Sequence, residues 1–93
     1  MRFEWDRAKA ASNRRKHGIS FDEAVTVFYD PLAATVSDPD HSAHEDRLIT
    51  VGYSAQEQLL VVCHTERRGA IRIISARHAT PRERKRHEND ARD

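Results

Sequence analysis

An imidazole, a carboxylate and two guanidiniums fall close together past the middle of the chain, at His64, Glu66, Arg72 and Arg77. Such groups can move protons and hold a phosphate. RNA can be cut without a metal, because its own 2′-hydroxyl can attack the adjacent phosphorus. A protein that assists supplies a base for that hydroxyl and an acid for the leaving oxygen. It also supplies cations for the charge that builds on the phosphorane. Histidine and glutamate suit the proton steps. Arginine suits the phosphate, because its planar fork donates two hydrogen bonds at once. A plainer reading stands beside this one: a half-buried strand-end histidine and an ordinary cross-strand ion pair between Glu66 and Arg72.

The elements that must position these residues are two apolar runs, 59–66 and 71–77, joined by Arg67-Arg68-Gly69-Ala70. That pattern predicts a β-hairpin. Strand side chains alternate, so His64 and Glu66 share a face. The same alternation puts Ile71, Ile73, Ser75 and Arg77 on one face, with Arg72 opposite them. Register stays open: a four-residue connection sets His64 across from Ile73, and a three-residue one sets it across from Arg72. Cys63 and His64 are adjacent and so point to opposite sides, which argues against a Cys–His nucleophilic pair. The apolar neighbours of Cys63 assign it to buried packing. It is the lone cysteine, so no internal disulfide can form.

The remaining elements read from caps and periodicity. Phe3 and Trp5 alternate with charged residues as in a short half-buried strand. Asp6 and Gly18 bracket a helix over about 7–17, with Trp5, Ala8 and Ser12 marking its packing side and Lys9, Asn13 and Lys16 its polar face. Ser20 and Glu23 form a capping box. Phe21, Ala24, Val25 and Phe28 then follow at helical spacing up to Asp30-Pro31. Strands are expected over 32–36 and 48–53, and Thr80-Pro81-Arg82-Glu83 opens a last helix. Helices outside a run of closely spaced strands predict an α+β fold, a small antiparallel sheet with helices on one face.

The chain has 93 residues, enough for one domain with one modest core, so a single domain over 1–93 is expected. It has no apolar run of roughly 18 residues and no apolar N-terminal stretch of signal-peptide length, which predicts a cytoplasmic protein with no membrane role. The net charge of +1 conceals basic ends, residues 1–18 and 77–88, around an acidic stretch at 37–46. A bipolar chain can bind an anionic polymer with one face and a basic partner with another; solvated helix faces and a solvated loop would read the same way. The run Asp38-Pro39-Asp40-His41-Ser42-Ala43-His44-Glu45-Asp46 matches neither an EF-hand nor a zinc spacing and is read as a solvated loop. No metal or other cofactor is expected. No Gly-rich phosphate loop is present, and Ser20, Ser54 and Ser75 lack a triad context.

Nearly end to end, the chain resembles the BrnT-type toxins of bacterial type II toxin–antitoxin systems. The resemblance is carried by Phe3-Glu4-Trp5-Asp6, Lys9, Asn13, Lys16-His17-Gly18-Ile19-Ser20-Phe21, Glu23-Ala24, Phe28, Asp30-Pro31, Arg47 and Gly52. It continues through Leu60-Val61-Val62, His64-Thr65-Glu66, Ile71-Arg72-Ile73-Ile74-Ser75-Ala76-Arg77, Ala79 and Arg82-Glu83-Arg84. It implies a RelE-like fold and a ribonuclease that stops growth by cutting RNA. It implies a cognate antitoxin with a ribbon-helix-helix DNA-binding part, which would cover the active face and carry the complex to its operator DNA. By position it implies His64, Glu66, Arg72 and Arg77 as catalytic residues, with Lys16, His17, Arg47 and Arg82 in RNA binding. The family often has tyrosine near the position of His87, so that residue either takes over a polar role or sits on the surface.

Two function classes follow. One is a metal-independent endoribonuclease toxin. The other is a non-catalytic module that binds nucleic acid or a partner protein through its basic helices, with salt-sensitive binding and no cleavage. A metal-dependent hydrolase is a distant third.

Overall fold

The computed structural model describes residues 1–38 and 46–92. The elements run β1 (Arg2–Glu4), α1 (Arg7–His17), α2 (Phe21–Val27), β2 (Ala34–Ser37), β3 (Leu48–Tyr53), β4 (Leu59–Arg67), β5 (Ala70–His78) and α3 (Pro81–Arg92). The middle of the acidic run, residues 39–45, lies outside the described residues. Five strands form one sheet in the order β1-β5-β4-β3-β2. The fold is α+β, as the order of elements predicts. The sheet, however, is mixed: β2 to β5 pair antiparallel, while β1 adds to β5 in parallel. The connection allows this, because α1 and α2 carry the chain between β1 and the meander and cover one face. α3 meets the end of the other face through Glu83 on Arg77 and His87 on Tyr53, so the expectation of helices on one face is corrected.

Local chemistry sets the helix ends. The Asp6 carboxylate accepts the Ala8 and Lys9 amides at 2.8 and 3.1 Å, starting α1. Ser20 Oγ accepts the Glu23 amide at 3.1 Å, starting α2. Only half of that capping box forms, because the Glu23 carboxylate instead accepts from Ser54 Oγ and Gln58 Nε2 at 2.7 and 2.8 Å. It thereby ties α2 to the β3–β4 connection. The box at α3 is complete: Glu83 N–H donates to Thr80 Oγ1, and Thr80 N–H to Glu83 Oε1.

The core lies between the sheet and α1–α2. Ile19, Phe21, Ala24 and Val27 pack on Leu60, Val62, Ile73 and Ala76, all essentially excluded from solvent. Each large apolar side chain there contributes roughly 1.5–3 kcal/mol. Trp5 meets Phe21 edge-on at 5.9 Å between ring centroids. Gly52 lets the end of α2 close onto β3, since a Cβ there would stand 2.9 Å from Ala33 Cβ and 3.0 Å from Val27 Cγ1.

The packing side of α1 differs from the expected one. Ala8 and Ser12 face solvent, while Ala10 and Asn13 face the sheet. Asn13 Nδ2 donates to the Ile19 and Ala76 carbonyls at 3.0 and 2.8 Å, and its Oδ1 accepts the Ala76 amide at 3.0 Å. The helix has no apolar stripe, so it docks by reading the β5 backbone with a carboxamide.

The β4–β5 strands extend to Arg67 and Ala70, leaving only Arg68 and Gly69 in the turn. Both have positive φ, +53° and +78°. That is the primed geometry that matches strand twist, and it is built for Asn-Gly or Asp-Gly. A non-glycine residue in it costs about 1–2 kcal/mol.

Candidate active face

Among the residues paired by sequence reasoning, register decides which can meet. His64 stands across from Ile73, the four-residue alternative. One pair further along, however, Cys63 stands across from Ser75, so Ile74 is an extra residue and β5 bulges there. The bulge resets the alternation. Ile71 and Ile73 pair with Glu66 and His64 and share the helix-covered face; Ser75 and Arg77 pair with Cys63 and Val61 and point to the other. Arg72, paired with Thr65, already points that way. The expectation that Arg77 goes with Ile71 and Ile73, with Arg72 opposite, is therefore corrected. A strict two-residue period cannot see an inserted residue. The two arginines share the open face, while His64 and Glu66 lie on the covered one.

His64 is 3% exposed. Its ring meets Phe28 edge-on at 4.8 Å, and its Nε2 is 2.7 Å from Thr50 Oγ1, itself 2.7 Å from Thr35 Oγ1. Nδ1 is buried with no hydrogen-bond partner among the described residues. Burial pushes the imidazole down from 6.5 to about 4, so it is neutral at neutral pH. Glu66 is exposed at the strand end and lines a shallow cleft of about 500 Å³ with Ser37, Asp46, Arg47 and Leu48. The expected Glu66–Arg72 pair does not form, since the two lie on opposite faces. Arg72 instead faces Glu4 on β1 at 3.8 Å.

The open face holds a cavity of about 370 Å³ whose polar lining is Asp38, Arg47, Cys63, Ser75 and Arg77, over a floor of Ile49, Val61 and Ile74. Cys63 is thus a half-buried cavity residue rather than a core one. Arg77 donates through both terminal nitrogens to Glu83, at 2.7 and 2.9 Å, and through Nη1 to the His78 carbonyl at 3.2 Å. The Glu83 hydrogen bonds raise the Arg77 pKa further. The same bonds hold the Glu83 carboxyl down at about 2. Both therefore stay charged at physiological pH, and Glu83 sets the orientation of the guanidinium.

Of the residues expected to bind RNA, Arg47 is half-buried and lines both the cavity and the Glu66 cleft. Arg82 is exposed in the first turn of α3. Lys16 and His17 are exposed at the end of α1, in the helix layer. Sequence reasoning missed Asp38, which is 8% exposed and faces the cavity beside Arg47 and Arg77. Its amide donates to the Arg47 carbonyl at 2.9 Å and so extends the β2–β3 ladder by one step. The available signal was its place directly after a strand, but the acidic run around it reads as a loop. His87 is not a surface residue. It is 6% exposed, sits edge-on to Tyr53 at 6.2 Å, and its Nε2 is buried with no partner among the described residues. Among those residues no three His, Cys, Asp or Glu side chains gather as metal ligands, and no helix is long and apolar enough to cross a membrane.

Arg47, Arg72 and Arg77 thus stand on a small α+β domain, on the sheet face that α1 and α2 leave open and α3 covers at one end. The family model for the ribonuclease toxin BrnT of type II toxin–antitoxin systems matches residues 5–83, and the chain belongs to this family. Membership implies a cognate antitoxin. The crystal structure of the Brucella abortus ribonuclease toxin BrnT is similar at a TM-score of 0.69 and 25% identity, over 86% of this chain and 97% of that one. No curated protein matches the sequence.

Proposed function

We propose that this chain is a metal-independent endoribonuclease toxin of RelE-like type, one domain over 1–93, acting in the cytoplasm. The observation that carries the reading is the bulge at Ile74, which turns Arg77 onto the same open face as Arg72, beside Arg47. RNA lies on that face. Arg77 and Arg47 flank the reacting phosphate, and Arg72 takes a neighbouring one. Their permanent charge stabilises the phosphorane as it forms. Proton transfer falls to Asp38, which in the cavity accepts the proton of the attacking 2′-hydroxyl; the leaving 5′-oxygen takes its proton from water, because Glu66 stands on the covered face. The products are a 2′,3′-cyclic phosphate and a 5′-hydroxyl. His64, buried on the covered face, acts as a positioning residue: with Thr35 and Thr50 it locks β2, β3 and β4 together behind the cavity. Arg82 adds positive charge beside the site, and Lys16, next to His17 at the end of α1, acts only through long-range attraction. The antitoxin, of ribbon-helix-helix type, covers the basic face and carries the complex to its operator.

The test is cleavage of purified RNA in excess chelator by the parent chain and by Arg77→Ala. The parent is expected to cut and leave cyclic phosphate ends. The variant, folded to the same melting temperature, is expected to be slower by about 10²–10³-fold, the scale of losing one charge-stabilising donor. A parent that cuts nothing and does not arrest growth on induction would leave a binding module instead.

A further inference from the structure

The open face has a second basic feature that the proposed chemistry does not use in full. Where β1 meets the β4–β5 turn, Arg2, Arg67, Arg68 and Arg72 surround Glu4 in a shallow cleft of about 550 Å³. Arg2, Arg67 and Arg68 are exposed, and Glu4 faces Arg72. Four guanidiniums against one carboxylate make this an anion site by charge alone.

The backbone supplies an independent reason. Arg68 sits at φ +53° directly before Gly69 at +78°. Asparagine or aspartate fits the first of these turn positions better, because short polar side chains tolerate the left-handed region. An arginine held there is a local sacrifice of stability, the kind found where a side chain has work to do. Arg68 is one of the residues that line the cleft.

We infer that this cleft is a second phosphate subsite, which holds the backbone of the same single-stranded RNA a few nucleotides away from the cut bond. The inference rests on the function proposed above. Arg72 and Arg77 are separated by about 15 Å along β5, so one strand can lie along the open face and engage both ends. Guanidiniums here meet phosphates rather than base edges, so the subsite adds affinity without choosing sequence.

The experiment uses a 2′-O-methyl oligoribonucleotide of about ten nucleotides, which cannot be cut because its attacking oxygen is capped. Binding is followed by fluorescence anisotropy as a function of salt for the parent, Arg67→Ala, Arg68→Asn and Arg15→Ala. For the first two variants, affinity is expected to fall by about three- to tenfold, and the slope of log affinity against log salt to flatten by about 0.7. Arg15→Ala removes the same charge from the exposed surface of α1 and is expected to leave the slope unchanged. Arg68→Asn is also expected to melt a few degrees higher while binding less RNA, an opposition that a residue kept only for the turn would not show. A parent that binds and cuts RNA, with variants of identical slope, overturns the subsite and spares the function. Unchanged RNA binding with weakened binding of duplex DNA or of the antitoxin also overturns it, and gives the cleft to that partner. A parent that neither binds nor cuts RNA overturns both.

Discussion

Cys63 and His64 are consecutive on β4 and sit in different environments. His64 is sealed under Phe28, where burial lowers its pKa to about 4. Cys63 borders a cavity on the other side of the sheet, with Arg47, Asp38 and Arg77 around it. The covered face is held by apolar packing and a short polar relay, Thr35–Thr50–His64. The open face is held by charge, with Arg77 clamped by Glu83 and Arg72 facing Glu4. The lesson is that residue type nominates chemistry and the face of the sheet decides it. Histidine was the more promising acid–base residue by type, yet an aspartate faces the cavity.

The comparison can be broken most sharply at the carboxylate. Asp38→Asn is expected to cut the rate of RNA cleavage by about 10²-fold or more, the usual contribution of a positioned base, with little change in KM. If His64→Gln matched or exceeded that loss in a folded protein while Asp38→Asn did not, the assignment of the two faces would be reversed.

The next largest effect is on acid stability. The ordinary imidazole value of 6.5 is lowered to about 4 in the fold. Between these values the unfolded chain holds a proton that the folded chain does not. Stability from this group is therefore complete above pH 6.5 and falls as pH drops toward 4, by about 1–3 kcal/mol once solvent screening is allowed for. Denaturant titrations across that range should show the slope in the parent and a flatter one in His64→Gln.

A smaller effect is expected at the joint between α1 and β5. Asn13→Ala leaves the buried Ala76 amide and carbonyl without their side-chain partner and should cost about 1–3 kcal/mol. Because Ala76 precedes Arg77, a modest rise in KM should accompany the loss of stability.

Much of the fold was legible because its signals are local. Asp6 and Gly18, Ser20, and Thr80 with Glu83 mark helix ends through contacts within a few residues. The hairpin declares itself by two apolar runs and a glycine. What stayed hidden depends on distant partners. The parallel docking of β1 on β5 joins residues far apart in the chain. The carboxylates of Glu23 and Asp30 are drawn to the backbone and side chains of the β3 end, with Asp30 accepting the Tyr53 amide at 2.7 Å and, through its other oxygen, the Leu32 amide. Those contacts move β2 to 34–37 rather than 32–36. The site suffered most from the bulge, because one unpaired residue exchanges the faces of everything after it. Arg72 and Arg77 were nominated by type and fall together; their expected arrangement relative to the isoleucines did not hold.

Asn13 has one more consequence. β1 covers β5 only at Ala70, Ile71 and Arg72. Past that point the rim of the sheet would present bare peptide groups, a template on which strands of other chains can pair and aggregate. At Ala76 both groups are already taken by the Asn13 carboxamide. A single side chain from a helix does the work of a missing strand there, and guards the protein's solubility at the residue next to Arg77.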